Sequence, residues 1–378
     1  MRKLYLLLMT LLLSASALAD PVEPIHALVP PFDSDFFKVS SYIDGSYNYL
    51  SRSNHFTSGY NDRFNDLEPN GFTLQQAAAT IARQPKQGLG GLLNFLAGRD
   101  ANNLAPYGMD ITTGIKNIGF AFTQAYLQYA KSSFTTMGGM MDSLAGYENY
   151  NPVDDLNFSR AIISGYAQPG TFLGLRETYS PNDALALLVG VNDGWDTIED
   201  TVRRATLELG IIYTLNPQFS FSIQGYNGQQ RAADGVTTGP TGIRSAVDII
   251  TTYHATPKLD YVINYDYGIQ NRAYLASGNL GTAVWQGVAG YVNYTINERW
   301  GASLRGEVFL DHNGFRTGVQ QTWKEATITL AYLPIKKLTL HIETRRDFSN
   351  VSSFVDKNGH GVGNNLQSFG LEALYVFC

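Results

Sequence analysis

Apolar and polar residues alternate with a period of two along most of the chain. In Leu338–Arg346, Leu338, Leu340 and Ile342 form one set and Thr339, His341, Glu343 and Arg345 the other. In Ala302–Asp311, Ala302, Leu304, Val308 and Leu310 alternate with Ser303, Arg305, Glu307 and Asp311. Arg203–Thr214 sets Ala205, Leu207, Leu209 and Ile211 against Arg204, Thr206, Glu208 and Gly210, and Leu259–Gly268 sets Tyr261, Ile263, Tyr265 and Tyr267 against Asp260, Asn264 and Asp266. Near the start, Val39, Ile43, Tyr47 and Tyr49 oppose Asp44, Ser46 and Asn48. This period puts the two sets on opposite faces of a strand. Each segment has about ten residues, the length a tilted strand needs to cross a bilayer. Tyr213, Phe219, Tyr253, Trp285, Tyr294, Trp300, Trp323 and Tyr332 stand at segment ends, as in the aromatic girdles of membrane barrels.

Connections alternate as well. Short turns (Asn216–Gln218, Thr256–Lys258, Asn297–Arg299, Pro334–Lys337) trade places with longer polar loops (Gln229–Gly242, Gln270–Gly281, Asp311–Gln321, Asp347–Gln367). Short turns at one rim and long loops at the other are the pattern of an outer-membrane barrel, with the long loops external. Strands are predicted near 39–50, 71–81, 88–98, 118–130, 132–141, 171–180, 184–193, 203–214, 218–228, 243–255, 258–269, 282–295, 299–310, 322–333, 337–347 and 367–377, sixteen in all. An even number satisfies the parity of single-chain bacterial barrels. Residues 157–168 would make seventeen if they were a strand. They are read instead as part of a long third loop, 142–170, whose apolar piece Phe158–Tyr166 folds into the lumen. The expected fold is therefore all-β: a transmembrane antiparallel β-barrel of about sixteen strands.

The N-terminus is a processing signal. A basic head, Arg2-Lys3, precedes a mostly apolar run, Leu4–Leu13, and Ala17-Leu18-Ala19 offers a cleavage site before Asp20. Residues 1–19 read as a signal peptide, 20–37, with Pro21, Pro24, Pro30 and Pro31, as a periplasmic lead-in, and 38–378 as the barrel. After Asp20 no apolar stretch reaches the ~20 residues of a spanning helix. Charged residues are 16% of the chain, below the ~25% usual for soluble domains. The single cysteine excludes a disulfide framework, and the low Lys and Arg content excludes a general nucleic-acid binder. Residues 1–19 hold two basic and no acidic side chains; the remainder has 25 basic and 33 acidic, a formal charge of −8.

An ordered series of motifs runs through 71–200. It comprises Phe72-Thr-Leu-Gln-Gln-Ala, Pro85, Gly88, Gly98-Arg-Asp100, Gln124-Ala-Tyr-Leu-Gln-Tyr, Gly146-Tyr-Glu148, Asn157-Phe-Ser-Arg160, Gln168-Pro-Gly170, Gly174-Leu-Arg-Glu-Thr-Tyr179 and Asn192-Asp-Gly-Trp195. This order resembles the β-barrel porin-2 (OmpL-like) family over roughly 39–377 and, more distantly, the phosphate- and oligoanion-type sixteen-stranded porins. The expanded Asn192-Asp-Gly-Trp195 and the Met-rich Met137–Met141 depart from the pattern. The resemblance implies an outer-membrane pore of a Gram-negative bacterium; alternation and turn lengths by themselves imply only a barrel.

A sixteen-stranded barrel leaves an aqueous lumen, and selectivity then rests on a constriction. The third loop offers Glu148, Asp154, Asp155 and Arg160, and the inward faces offer Arg176, Arg204, Arg305, Glu307, Glu343 and Arg345. An acidic loop against a basic wall would set a transverse field; Glu307 and Glu343 would instead neutralise their arginine neighbours. The expected function is passive diffusion of small hydrophilic solutes or ions. The alternative is a non-conducting adhesin or structural barrel whose external loops bind a partner. Neither the six histidines nor any flanking serine forms a nucleophile–base pair, and no metal-ligand spacing occurs, so neither an enzyme nor a cofactor is expected. The final strand alternates Phe369, Leu371, Ala373, Tyr375 and Phe377 and resembles the insertion signal read by the barrel-assembly machinery; Cys378 after it is a departure. Outer-membrane lipid is the other expected partner. Porins of this size are often homotrimers, which the apolar faces alone leave open.

Overall fold

A computed structural model of the protein describes residues 37–51, 71–109, 118–355 and 361–377. The segment read as a signal peptide, with Ala17, Ala19 and Asp20, nearly all of the segment read as a lead-in, and Cys378 lie outside the described residues. The first eight wall strands are β1 (Lys38–Leu50), β2 (Gly71–Arg83), β3 (Gly88–Gly98), β4 (Gly119–Lys131), β5 (Phe134–Asp142), β6 (Thr171–Asn182), β7 (Leu185–Asn192) and β8 (Thr206–Asn216). The wall continues through β9 (Phe219–Arg231), β10 (Thr241–Thr256), β11 (Leu259–Tyr274), β12 (Leu280–Thr295), β13 (Trp300–Asp311), β14 (Gln321–Ile335) and β15 (Leu338–Ser349). A two-stranded sheet, β16 (Phe354–Val355) and β17 (Gly361–Gly363), sits in the last long loop before β18 (Asn365–Val376).

The wall strands pair antiparallel in chain order and close through β1 and β18, with Tyr42 opposite Val376 and Leu50 opposite Ser368. Closure leaves no unpaired edge among the described wall strands, which matters because an unpartnered backbone group in lipid costs several kcal/mol. The alternation sorts the faces as expected. Leu304, Ile263, Ile328 and Ile342 stand on the outer surface, and Asp44, Ser303, Arg305, Asn264, Asp266 and Glu343 are buried inside. Phe369 and Leu371 of the last strand, and Phe377 just after it, are exposed on the outside. Ring pairs flank the short turns: Trp300 and Tyr332 stack at 4.4 Å, and Phe134 and Tyr179 at 4.7 Å.

Three local expectations need correction. The loop 270–281 shrinks to 275–279, because β11 and β12 resume pairing at Ala273–Gly281 and Tyr274–Leu280 after an irregularity at Arg272, whose φ is 51°. Beyond the bilayer a strand needs no apolar face, so polar sequence there does not mark a loop. Second, β8 begins at Thr206, and Arg204 lies exposed in the preceding loop rather than inside the barrel. Third, Trp285 and Trp323 are fully buried on the inward face, opposite Asp311 and Phe309 in register, and are not girdle residues. Residues 157–168 are not a wall strand, so the count stays even: they include a helical turn, Ile162–Tyr166, inside the barrel.

Candidate functional site

The loop 143–170 leaves β5 and returns to β6 through a narrow neck, where Ser143 N–H donates to the Gly170 carbonyl at 2.8 Å. Asp196 Oδ1 accepts from Gly170 N at 2.6 Å and Thr171 N at 3.0 Å, fixing the returning limb. Within the loop, the Asn151 side chain accepts from Val153 N at 3.1 Å and Pro152 starts a helical turn, Pro152–Asp154, the usual chemistry of such a start.

The wall holds the loop by its backbone. Glu307 on β13 accepts from Ile162 N and Ile163 N, each at 2.6 Å, at the amino end of the helical turn Ile162–Tyr166. Glu343 on β15 accepts from Phe158 N at 2.8 Å, Ser159 N at 3.0 Å and Thr329 Oγ1 at 2.8 Å. The neighbouring arginines take the loop carbonyls. Arg305 Nη1 donates to Ser159 O at 2.6 Å and Arg345 Nη1 to Arg160 O at 2.6 Å. Acid and base alternating on the inward rows of β13 and β15 thus match N–H and C=O groups along the loop. Each arginine is also tied to the wall: Arg305 Nε to Glu325 at 2.8 Å, and Arg345 Nη2 to Asp347 at 2.7 Å.

The loop carries its own charges into this latch. Glu148 accepts from Arg305 Nη1 at 2.5 Å and from Ala161 N at 2.5 Å. Arg160 pairs with Asp155 at 2.9 Å and donates from Nε to Asn149 O at 2.9 Å. Burial alone would raise the Glu148 carboxyl, but the Arg305 and Arg160 guanidiniums hold it below the ordinary carboxylate range. Burial raises the Asp155 carboxyl to about 7 against the opposing pull of Arg160. It also raises Asp154, helped by the charge of Asp155.

Shape completes the fit. A Cβ on Gly287 of β12 would collide with the Ile163 side chain, and one on Gly370 of β18 would come within 2.6 Å of the Phe158 ring. Both glycines are notches in the wall, as glycine in a strand often signals. Trp285 Nε1 donates to Ala167 O at 2.9 Å, and the Tyr147 ring packs on Tyr291 at 4.7 Å.

Seven of the ten candidate charges therefore converge: Glu148, Asp155, Arg160, Arg305, Glu307, Glu343 and Arg345. The expected division into acidic loop and basic wall does not hold, since the wall supplies both signs and each is paired. Asp154 lies apart, beside Val153, which packs against Leu374 and Val376 near Tyr42. Arg176 belongs to another part of the wall, where it grips Glu208 through Nε at 3.0 Å and Nη2 at 2.8 Å.

The profile of the family described as Putative beta-barrel porin-2, OmpL-like, matches residues 37–377. The chain belongs to this porin family. No curated protein matches by sequence. Among solved structures, the porin is similar to the outer membrane channel DcaP of Acinetobacter baumannii, with a TM-score of 0.62, 16% identity, and coverage of 92% of this chain and 99% of that one. It is similar also to the in-vitro folded, trimeric OmpT of Vibrio cholerae (TM-score 0.61, 10% identity, 90% and 99% covered). An anion-selective porin from Comamonas acidovorans gives 0.60 at 8% identity, with 90% and 99% covered. At these identities the likeness is one of fold. The porin's own latch includes residues that sequence reasoning passed over: Gly287, Gly370, Glu325, Thr329, and Trp285 as an inward donor. Glycine inside an alternating strand was the one signal that pointed to two of them.

Proposed function

We propose that this porin gives small hydrophilic solutes or ions a passive path across the outer membrane of a Gram-negative bacterium, narrowed by the loop 143–170. The observation that carries this reading is the loop docked inside the closed barrel: its backbone is pinned to β13 and β15 by Glu307, Glu343, Arg305 and Arg345, and further contacts reach β2 (Gln76 to the Tyr150 carbonyl), β9 (Tyr226 to Ser143) and β11 (Asn264 to Tyr147 N). On the opposite wall, Gln128 Nε2, Asn192 Nδ2 and both amide atoms of Gln224 are buried without a partner among the described residues. Buried polar groups of this kind are satisfied by water. Unpartnered groups of this kind also occur elsewhere on the wall, as at Gln75, Asp248 and Tyr291, and together they support water in the lumen beside the docked loop. Asp154, next to the Val153 that packs on Leu374 and Val376 and with one carboxylate oxygen unpartnered, is the loop charge assigned to act on a permeant ion. The outward row Phe369, Leu371, Tyr375 and Phe377 is assigned to recognition by the assembly machinery, and a homotrimer to the assembled state.

The test is planar-bilayer conductance of the refolded protein, with reversal potential in a salt gradient. Stepwise conductance is expected, and Asp154→Lys with Asp155→Lys should move the reversal potential toward anion preference. A folded barrel that conducts nothing would overturn this function.

A further inference from the structure

Two arginines at the long-loop rim share one carboxylate. Arg244, near the start of β10, donates from Nη2 to Asp234 Oδ1 at 2.6 Å, and Arg316, in the loop 312–320, donates from Nη1 to Asp234 Oδ2. The cations are enclosed: their side chains are 1% and 9% exposed, whereas that of Asp234 is 53% exposed. The carboxylate thus reaches the pair from the solvent side, on a loop whose residues 234–239 are all exposed.

The guanidiniums are built into position. Arg244 Cζ stands 4.8 Å from the Trp195 ring and 5.4 Å from Phe315, and Arg316 Cζ stands 5.5 Å from Trp285. Rings on this side strip water from the cations and hold their planes. Arg244 Nε donates to Gln270 Oε1 at 2.6 Å, and Arg316 Nε to the Tyr166 carbonyl at 2.5 Å. Arg244 Nη1, also buried, has no hydrogen-bond partner among the described residues. Asp196 lends some negative charge nearby, but its Oδ1 accepts from the neck of the loop 143–170. Two fixed forks and a spare donor outnumber the single acceptor they hold.

We propose that Arg244 and Arg316 form a binding site for the carboxylate of a small organic acid, and that Asp234 is a tethered stand-in which an incoming carboxylate displaces. Planar forks favour a planar two-oxygen anion. The group now seated has that chemistry, and it sits on a loop exposed throughout 234–239. A tethered occupant competes at an effective concentration in the mM range, so the site is weak until Asp234 leaves. Through Arg316 and Tyr166 the site also touches the helical turn Ile162–Tyr166 of the latched loop.

The experiment is a titration of tryptophan emission in the detergent-folded barrel, since Trp195 and Trp285 line the site. Sodium acetate is compared with sodium chloride at matched ionic strength, and with inorganic phosphate. Asp234→Ala is expected to bind acetate at least about tenfold more tightly than the unaltered protein. Adding Arg316→Gln should undo that gain. Arg316→Lys, which keeps the charge but not the fork, should undo most of it and serves where Arg316→Gln does not give a heat-modifiable, folded band on gels. No saturable acetate response in folded Asp234→Ala, or a response indifferent to Arg316, would overturn the site. Tighter binding of phosphate than acetate would overturn the assignment to carboxylates. The measurement needs no conductance, so it stands or falls separately from the channel function.

Discussion

Glu307→Gln tests directly how the loop is held. Glu307 accepts two backbone N–H groups at 2.6 Å, and its side chain is buried. Hydrogen bonds to a charged acceptor contribute about 1.5–3 kcal/mol each and neutral ones about 0.5–1.5. A carboxamide has one acceptor oxygen, whereas Ile162 N and Ile163 N bind Oε2 and Oε1 separately, so Gln gives up one contact worth about 1.5–3 kcal/mol and weakens the other by about 1, roughly 2.5–4 in all. At 1.4 kcal/mol per factor of ten, the released fraction of the loop rises about sixty- to several-hundred-fold. One effect works the other way. Glu307 is directly opposite Glu325 in the β13–β14 register, and like charges at the ~5.5 Å spacing of directly opposed strand residues repel by about 3 kcal/mol at an effective dielectric of 20. That repulsion is already offset, because Glu325 is paired with Arg305 Nε at 2.8 Å and accepts from Thr327 Oγ1. The loss of hydrogen bonding should win.

The assay is limited trypsinolysis of the folded barrel, followed by mass. Arg160 is buried in the docked loop, and cleavage after it requires the loop to swing out. When reclosing is fast, its rate follows the released population. Exposed Arg203 and Arg204 supply an internal standard whose cleavage should not change. Cleavage at Arg160 that rises by more than tenfold supports the latch. A rate within threefold of the unaltered protein, or slower, would refute the hydrogen-bond reasoning and show that carboxylate repulsion dominates.

Three further outcomes are expected. Gly287→Val puts methyl groups where the Ile163 side chain lies, so the loop should be displaced and single-channel conductance should increase and become noisier; an unchanged trace sinks the notch argument. Arg176→Gln deprives buried Glu208 of its ion-pair partner, a change that costs about 3–5 kcal/mol when the remaining charge stays buried. The urea midpoint of the folded band should fall accordingly, and a midpoint equal to that of the unaltered barrel would contradict this. For pH, Asp155 has a folded pKa of about 7, above its unfolded value of about 3.9. Its contribution is fully present below about pH 4 and is lost as pH rises toward 7, because the unfolded or released loop ionises first. Loop release measured at Arg160 should therefore increase from pH 4 to 7, and Asp155→Asn should flatten that slope.

The wall was legible in the sequence because a strand in lipid writes its faces locally. Leu338 through Arg345 and Ala302 through Asp311 declare inside and outside within ten residues, and nothing distant can change that parity. Strand ends were less legible: Asn271 and Arg272 look like loop residues, yet pairing resumes at Ala273, since a strand past the bilayer is judged by its hydrogen bonds alone. The latch was legible as a set of residues but not as an arrangement. Glu307 and Ile162 are 145 positions apart, and Glu343 and Phe158 are 185 apart, so no spacing connects them. Charge signs misled for the same reason. Carboxylates on an inward row read as lumen charges, whereas here they act on peptide N–H groups, which carry no sequence signature. Glycine is the exception, because a notch must be left wherever a loop side chain comes close to the wall. An inward charge close to a strand glycine, as Glu343 stands directly opposite Gly370 and Glu307 diagonally across from Gly287, is therefore better evidence of a docked loop than of a permeant ion's path.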